Sequence, residues 1–233
     1  MNLKIAEHFF SCQCEGCSVG VPSIFLRVSG CNFQCQFCDT IEVWKQGTFY
    51  TIEELVQLFI DKGYFKRINE GAHLILTGGN PLLVQDRLSA FLSAAVGSGK
   101  LAYKPFIEVE TQADRLPTAD FRGWVSQWNA SPKLANSGEP EHKRIVPEVL
   151  AFLAAQSKVC FKFPVASEAD MPEVSAIVKS HHLPRSKVYL MPVCNSRATH
   201  AAVAPAVAEL AKEHGFCFSP RLHLVLYDQA CGV

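Results

Sequence analysis

Six of the ten cysteines in this chain lie between Cys12 and Cys38, and three of them share one short loop. Cys31, Cys35 and Cys38 are spaced C-x3-C-x2-C. Three thiolates on so short a loop cannot complete a four-ligand structural zinc site, but they can hold three irons of a [4Fe–4S] cluster. The fourth iron is then open to another ligand. The spacing therefore predicts a reactive iron-sulfur centre.

Two other interpretations of the clustered cysteines stay open at this point. A zinc site would combine the same triad with a fourth ligand such as His73 or Cys14. Alternatively, Cys12 and Cys17 could join Cys14 in a second metal site, because three clustered thiols are chemically competent ligands. The other four cysteines are scattered singly and are expected to be small buried apolar residues: Cys160, Cys194, Cys217 and Cys231.

The composition is typical of a folded protein and does not indicate binding to nucleic acid or to a membrane. Hydrophobic residues make up 48% and charged residues 19% of 233 residues, so a core is available and a single domain over 1–233 is expected. Lys+Arg and Asp+Glu both total 22, which gives no support for direct binding of nucleic acid or an acidic membrane. No spanning apolar run and no signal peptide are found, so we expect a soluble, cytoplasmic protein.

Alternating strands and helices must position the cysteine loop. Because helices join the strands, we predict parallel pairing and an α/β fold, a partial parallel β/α barrel of about six strands. Polar motifs follow several strands, so they are expected on one rim, where the carboxyl ends of parallel strands meet. The predicted strands are 22–28, 72–76, 105–109, 159–163, 187–191 and 221–227. The predicted helices begin at Thr51 and cover 85–96, 147–157, 168–180 and 198–214.

The cysteine loop, with Phe37 just before its last cysteine, resembles the signature of the radical S-adenosylmethionine (SAM) superfamily. The resemblance implies that the open iron is chelated by the amino and carboxylate groups of SAM. One electron from the cluster would then split SAM and yield a 5′-deoxyadenosyl radical. Thr77-Gly78-Gly79 after a strand resembles the superfamily's glycine motif, where the backbone approaches SAM closely because no Cβ intervenes.

Further segments resemble the 7-carboxy-7-deazaguanine synthase (QueE) family over nearly the whole chain. The resemblance implies a lyase that converts 6-carboxy-5,6,7,8-tetrahydropterin to 7-carboxy-7-deazaguanine with loss of ammonia, in the biosynthesis of queuosine and other 7-deazapurines. It also implies Mg²⁺, a reductant such as a flavodoxin or ferredoxin, and a homodimer. The similar segments, in chain order, are 7–16, 24–31, 38–40, 110–112, 131–134, 191–192, 219–226 and 232–233.

The same resemblance assigns site residues. Arg27 offers a planar fork for the pterin carboxylate, and Glu15 can accept from the amino and ring N–H groups of the pterin. Besides the three cluster cysteines, Thr40 is assigned to Mg²⁺. The residues assigned to SAM are Phe37, Cys38, Asp39, Gly79, Ser131, Pro132, Lys133, Met191, Pro192, Val193 and Cys194. Those assigned to substrate are Cys12, Gln13, Cys14, Glu15, Arg27, Thr77, His223 and Val233.

Three positions depart from the family pattern. Cys14 replaces a glycine, so the loop is expected to be remodelled if that glycine needs a positive φ. Asn80 stands where a glutamate is common and would contact the SAM ammonium without charge. Ala113 replaces another glycine, with no consequence that the residues alone indicate.

Two rival functions are kept. A radical-SAM activase that places a glycyl radical on a partner protein would share the C-x3-C-x2-C loop, but would need neither Arg27, nor the element containing Gln13 and Glu15, nor Mg²⁺. A non-catalytic interaction module would hold zinc through the cysteines.

Overall fold

The computed structural model describes residues 1–230 and 232, and the strands of this part of the chain form one mostly parallel sheet. The order across the sheet is β3-β1-β2-β4-β5-β6-β7-β8-β9. The bounds are β1 Asn2–Cys12, β2 Pro22–Val28, β3 Thr48–Thr51, β4 His73–Gly78, β5 Ile107–Thr111, β6 Gln127–Ala130, β7 Val159–Val165, β8 Val188–Pro192 and β9 Cys217–Phe218.

The parallel part of the sheet runs from β2 through β4 to β9, and helices connect most of its strands. This confirms the predicted α/β class and the open, incomplete barrel. Within the described residues the sheet has nine strands instead of about six. The additional strands include β1, which pairs antiparallel with both β2 and β3, and β6, which lies between β5 and β7.

The predicted strand at 221–227 is wrong, because this segment is a helix, α10, Leu222–Tyr227. The place beside β8 belongs to the short β9, which precedes it. A short apolar run does not distinguish a strand from a helix by its pattern alone. In α10 only Leu224 is deeply buried, while Val225 and Leu226 are more than 40% exposed, so the run was not a core strand.

The helices largely match the predicted segments. The predicted N-cap Thr51 is confirmed: its hydroxyl accepts from the Glu54 amide at 3.1 Å, and the Glu54 carboxylate accepts from the Thr51 amide at 2.8 Å. The bounds are α1 Ile41–Trp44, α2 Ile52–Asp61, α3 Tyr64–Asn69, α4 Gln85–Gly97, α5 Ala119–Trp124, α6 Glu141–Arg144, α7 Pro147–Ala154, α8 Met171–Ser180, α9 Arg197–His214 and α10. No helix among the described residues is long and apolar enough to cross a membrane.

The register of the sheet brings the polar motifs to one edge. Arg27 near the end of β2 is level with Thr77 on β4, and Val28 is level with Gly78. Apolar side chains of the strands and helices form a buried core that includes Leu26 and Leu76. This packing leaves the carboxyl ends of the parallel strands, and the loops that follow them, free to surround a cavity.

Candidate active site

A cavity of about 670 Å³ opens at the carboxyl ends of the strands, within the range of small-molecule sites. Nearly all of the residues predicted for the site line it. They are Cys12, Gln13, Cys14, Glu15, Arg27, Cys31, Cys35, Phe37, Cys38, Asp39, Thr40, Thr77, Gly79, Ser131, Lys133, Met191, Pro192, Val193 and His223. Pro132 and Cys194 are not among the lining residues. Val233, also predicted for the substrate, lies outside the described residues.

The cysteine loop forms one side of this cavity. The Phe33 amide donates to Cys31 Sγ at 3.4 Å, and Gln112 Nε2 donates to the same sulfur at 3.1 Å. Burial raises the pKa of Cys31 and of Cys35, and the nearby Cys38 raises both further. A positively charged metal cluster bound by the loop would offset this shift, because it stabilises the thiolates that hold it.

A single-ion zinc site is not what these side chains form. Among residues 1–230 and 232, no three His, Cys, Asp or Glu side chains converge so as to hold one metal ion. The suggested fourth ligand His73 instead bonds through Nδ1 to the Glu108 carboxylate at 2.6 Å. Cys14 lies with its sulfur 3.7 Å from that of Cys12. The zinc interpretation and the second metal site are therefore unsupported.

The remaining groups around the loop fit an iron-sulfur cluster and SAM. A Cβ built on Gly79 would overlap the Gly30 carbonyl oxygen and lie 2.7 Å from Cys31 Cβ, so only glycine packs against the loop here. Gln112 Nε2 donates to the Gly79 carbonyl at 2.9 Å, while its own Oε1 is buried and has no partner among residues 1–230 and 232. An unpartnered acceptor in the cavity wall suits an N–H donor of a bound ligand.

On the same side, Lys133 Nζ donates to Ser131 Oγ at 2.9 Å. Burial lowers the pKa of Lys133, although the neighbouring Cys35 opposes this shift. The pair places a hydroxyl and an amine together on the cavity wall, where both can bind polar groups of a ligand.

Arg27, which also lines the cavity, is held by an ion pair within the sheet. Its Nε donates to Glu7 Oε1 at 2.7 Å, and Glu7 is its register partner on β1. The Arg27 side chain is only 14% exposed, so this is not a surface ion pair. Because Glu7 occupies Nε, the terminal nitrogens of the guanidinium remain for a carboxylate in the cavity.

Glu15 lies beside a buried lysine. Lys162 Nζ is 2.8 Å from Glu15 Oε2 and 2.7 Å from Glu110 Oε2, and the lysine side chain is 1% exposed. Burial alone would raise the pKa of Glu15, but Lys162 and Arg221 outweigh it and hold that pKa low. Burial raises the pKa of Glu110, although Lys162 opposes this. Glu15 therefore faces the cavity as a fixed carboxylate.

Arg221, at the start of α10, joins several of these segments. Nη2 pairs with the Asp39 carboxylate, Nη1 donates to the Cys194 carbonyl, and Nε lies 3.5 Å from Glu15 Oε1. His223 follows on the same helix and lines the cavity. Burial lowers the pKa of His223, with Glu15 opposing the shift.

Sequence reasoning missed the roles of four charged residues that line the cavity: Glu7, Glu110, Lys162 and Arg221. Glu7, Glu110 and Arg221 belong to the segments that resemble the family, so the motifs contained a signal. Arg221 lay inside the incorrectly predicted strand, and Lys162 contacts residues far from it in sequence.

The departures from the family pattern have physical explanations in two cases. Cys14 does not have a positive φ; Gly16, two residues later, does, at +68°. The predicted strain at Cys14 is therefore absent. Ala113 does occupy the left-handed region, at φ +61°, a conformation that favours the family's glycine.

Asn80 does not face SAM as expected. Its Nδ2 donates to Asn32 Oδ1 at 2.8 Å and to Asp114 Oδ1 at 2.9 Å, and the residue is fully buried. It also accepts from the Leu82 amide at 3.2 Å. Asn80 therefore ties the cysteine loop to the segment after β5.

The comparisons with known proteins agree with this geometry. Residues 12–101 match the family model described as a 4Fe-4S single cluster domain. The chain is 32% identical to a 7-carboxy-7-deazaguanine synthase from Pyrobaculum aerophilum, over 99% of this chain and 97% of the relative. It is 31% identical to the synthase of the same name from Halobacterium salinarum, over 98% of this chain and 91% of the relative.

The fold is also that of a solved structure. QueE from Escherichia coli superimposes with a TM-score of 0.67 at 20% sequence identity, and the match covers 94% of each chain. The similarity of the folds agrees with the full-length sequence matches. The chain belongs to the 7-carboxy-7-deazaguanine synthase family.

Proposed function

We propose that this chain converts 6-carboxy-5,6,7,8-tetrahydropterin to 7-carboxy-7-deazaguanine, with loss of ammonia. The observation that carries the proposal is the shared cavity: the cysteine triad, Arg27 and Glu15 all line it. A cluster-bearing loop thus faces groups that can recognise a carboxylate and an aminopyrimidinone.

The chain's own residues hold the substrate in this proposal. The terminal nitrogens of Arg27 pair with the pterin carboxylate, and Glu7 fixes the guanidinium for that purpose. Glu15 accepts from the amino and ring N–H groups, with Lys162 and Arg221 keeping it ionised. Phe9 and Phe25 stack on each other with centroids 4.9 Å apart and present apolar surface to the same cavity.

The cluster and SAM are assigned to the cysteine loop and the strand ends beside it. Cys31, Cys35 and Cys38 would hold the cluster, and Gly79, the Ser131–Lys133 segment and the segment 191–194 would hold SAM. When bound, these groups supply a 5′-deoxyadenosyl radical able to take a hydrogen atom from carbon. Gln112 Nε2 donates hydrogen bonds to Cys31 Sγ and to the Gly79 carbonyl, and so keeps the cysteine loop against the end of β4.

Mg²⁺ belongs to the proposal through Thr40. This residue lines the cavity, with its hydroxyl 3.9 Å from Cys38 Sγ, at the N-terminus of α1. A hydroxyl oxygen suits a hard cation that keeps most of its water ligands. The Mg²⁺ concentration that gives half-maximal activity should be higher in Thr40→Ala than in the unaltered protein. An unchanged value would show that Thr40 does not bind Mg²⁺.

The remaining parts of the proposal follow from family membership. The chain acts as one domain in the cytoplasm, pairs as a homodimer, receives electrons from a flavodoxin or ferredoxin, and binds no nucleic acid or membrane directly. One sheet and one core run through the described residues, which supports the single domain. Sedimentation of the purified protein measures the dimer.

An anaerobic turnover assay tests the proposed reaction. The reconstituted protein is given reductant, SAM, Mg²⁺ and the pterin, and the deazapurine acid is detected by mass. SAM cleavage without that product would refute the assignment. The rival activase is not favoured by the family, and it gives no role to Arg27 and Glu15, which both line the cavity.

A further inference from the structure

The Arg221 side chain contacts three separate segments of the chain. Its guanidinium contacts Asp39, which follows the last cluster cysteine, and the carbonyl of Cys194, which follows β8. Both segments are assigned to SAM. On its third side, Nε lies 3.5 Å from Glu15, which is assigned to the pterin.

The environment of Arg221 fixes it as an anchor. The residue is 8% exposed, and its amide donates to His200 Nε2 on α9 at 3.4 Å. Burial alone would lower the pKa of Arg221, but Asp39 and Glu15 outweigh it and raise that pKa, so the charge is permanent. A planar guanidinium can hold three partners in three directions, which a lysine ammonium on a flexible stem cannot reproduce.

One contact of this anchor is incomplete. Arg221 Nε is buried and makes no hydrogen bond within the described residues, although it lies close to Glu15 Oε1. The other oxygen of Glu15 is occupied by Lys162. A ligand that donates to Glu15 Oε1 therefore binds next to Arg221 Nε, a donor whose hydrogen bond is not made.

We propose that Arg221 is a positioning residue that makes SAM binding and pterin binding favour each other. This inference rests on the proposed function. One guanidinium contacts Asp39, the Cys194 carbonyl and Glu15, so a ligand that shifts Glu15 relative to Arg221 Nε also acts on the two segments assigned to SAM, and the reverse. The coupling is reciprocal: each ligand must tighten the other by the same factor.

Anaerobic equilibrium dialysis on the cluster-loaded protein measures this factor. Without reductant SAM stays intact, so its Kd is determined with and without saturating 6-carboxytetrahydropterin, and the pterin Kd with and without SAM. We expect a mutual tightening of about tenfold in the unaltered protein. Arg221→Lys should reduce the factor to less than about twofold, because the point charge cannot hold all three segments.

Arg144→Lys is the matched control. Arg144 is equally buried, pairs with Glu173 at 2.5 Å and donates to the Lys133 carbonyl at 3.2 Å, so it contacts the SAM side only. In this variant SAM and pterin should still tighten each other's binding by the same factor as in the unaltered protein, even if the affinity for SAM alone changes. Should Arg221→Lys fail to fold, Asp39→Asn removes one arm of the anchor and should also lower the factor.

The outcomes separate the two claims. An unaltered protein that shows no mutual tightening, or an Arg221→Lys or Asp39→Asn variant that keeps the full factor, would overturn the inference while leaving the reaction intact. No pterin binding by the unaltered, cluster-loaded protein would instead refute the proposed function, and the inference with it.

Discussion

At the scale of single residues, ion pairs fix the charged side chains that line the site. Arg27 is fixed by Glu7 across the β1–β2 pair, and Glu15 is fixed by Lys162. Fixed partners lower the cost of ordering a side chain when a ligand binds. The polar groups that face the cavity are therefore arranged before the substrate arrives.

Replacing Arg27 tests this arrangement. Arg27→Gln should weaken pterin binding by about 2–4 kcal/mol, roughly 30- to 1000-fold, because it removes a charge-assisted pair with the substrate carboxylate. SAM binding should be unchanged, since Arg27 is not among the residues assigned to SAM. Glu7→Gln, which retains a hydrogen-bond acceptor, serves as the milder control. Pterin affinity that survives in Arg27→Gln would contradict the assigned role.

Lys162 is tested through stability and its dependence on pH. Lys162→Met leaves Glu15 and Glu110 without their buried cation and should lower the free energy of unfolding by about 3–5 kcal/mol at pH 7. In the parent protein the depressed pKa of Glu15 adds stability above the ordinary carboxyl pKa of 4.5, and this is lost as pH falls through the lower folded value.

In the variant Lys162 no longer opposes the effect of burial, so the pKa values of both carboxylates should rise. The difference in unfolding free energy between the two proteins should therefore shrink as pH falls from 7 towards 4.5. Urea unfolding at several pH values measures this difference. A deficit that stays constant with pH would show that packing, not charge, is what Lys162 supplies.

At the scale of elements, the cysteine loop depends on the strand end that it packs against. Gly79 follows β4, and a Cβ there would overlap the Gly30 carbonyl oxygen. Gly79→Ala should therefore displace the loop, lowering both the iron bound per chain after anaerobic reconstitution and the melting temperature.

Gly97 provides the matched control for that substitution. It ends α4 and has no heavy atom within 4 Å of a built Cβ. Gly97→Ala should leave iron binding unchanged and add up to about 1 kcal/mol of stability, because alanine is the better helix former. Full iron loading in Gly79→Ala would refute the close-packed interface.

Element by element, the pattern in the sequence predicted the site better than its surroundings. The spacing of Cys31, Cys35 and Cys38 is local, so it could be interpreted without a structure. The segment 221–227 was assigned to a strand because a short apolar run is ambiguous, and the error concealed where Arg221 points. Contacts such as that of Lys162 with Glu15, 147 residues apart, depend on strand order, which local sequence does not specify.

At the scale of the whole molecule, an open parallel sheet brings distant segments to one rim. Segments from the N-terminal strand to α10 line the same cavity. This arrangement is what a reaction between a substrate and a cofactor-derived radical requires, because the reacting atoms must meet in a space closed to water. The central claim is that the cluster and SAM bound by the cysteine loop react with a pterin bound by Arg27 and Glu15 in the same cavity.

Transfer of a label between the two ligands tests that claim most directly. The cluster-loaded protein is incubated anaerobically with reductant, SAM, Mg²⁺ and pterin carrying deuterium at C6, the carbon from which the family resemblance implies that hydrogen is taken. The nucleoside and deazapurine are then analysed by mass spectrometry. We predict deuterium at the 5′ carbon of the SAM-derived nucleoside or of recovered SAM, together with 7-carboxy-7-deazaguanine. Cleaved SAM that carries no deuterium, with the pterin recovered unchanged, would contradict the account.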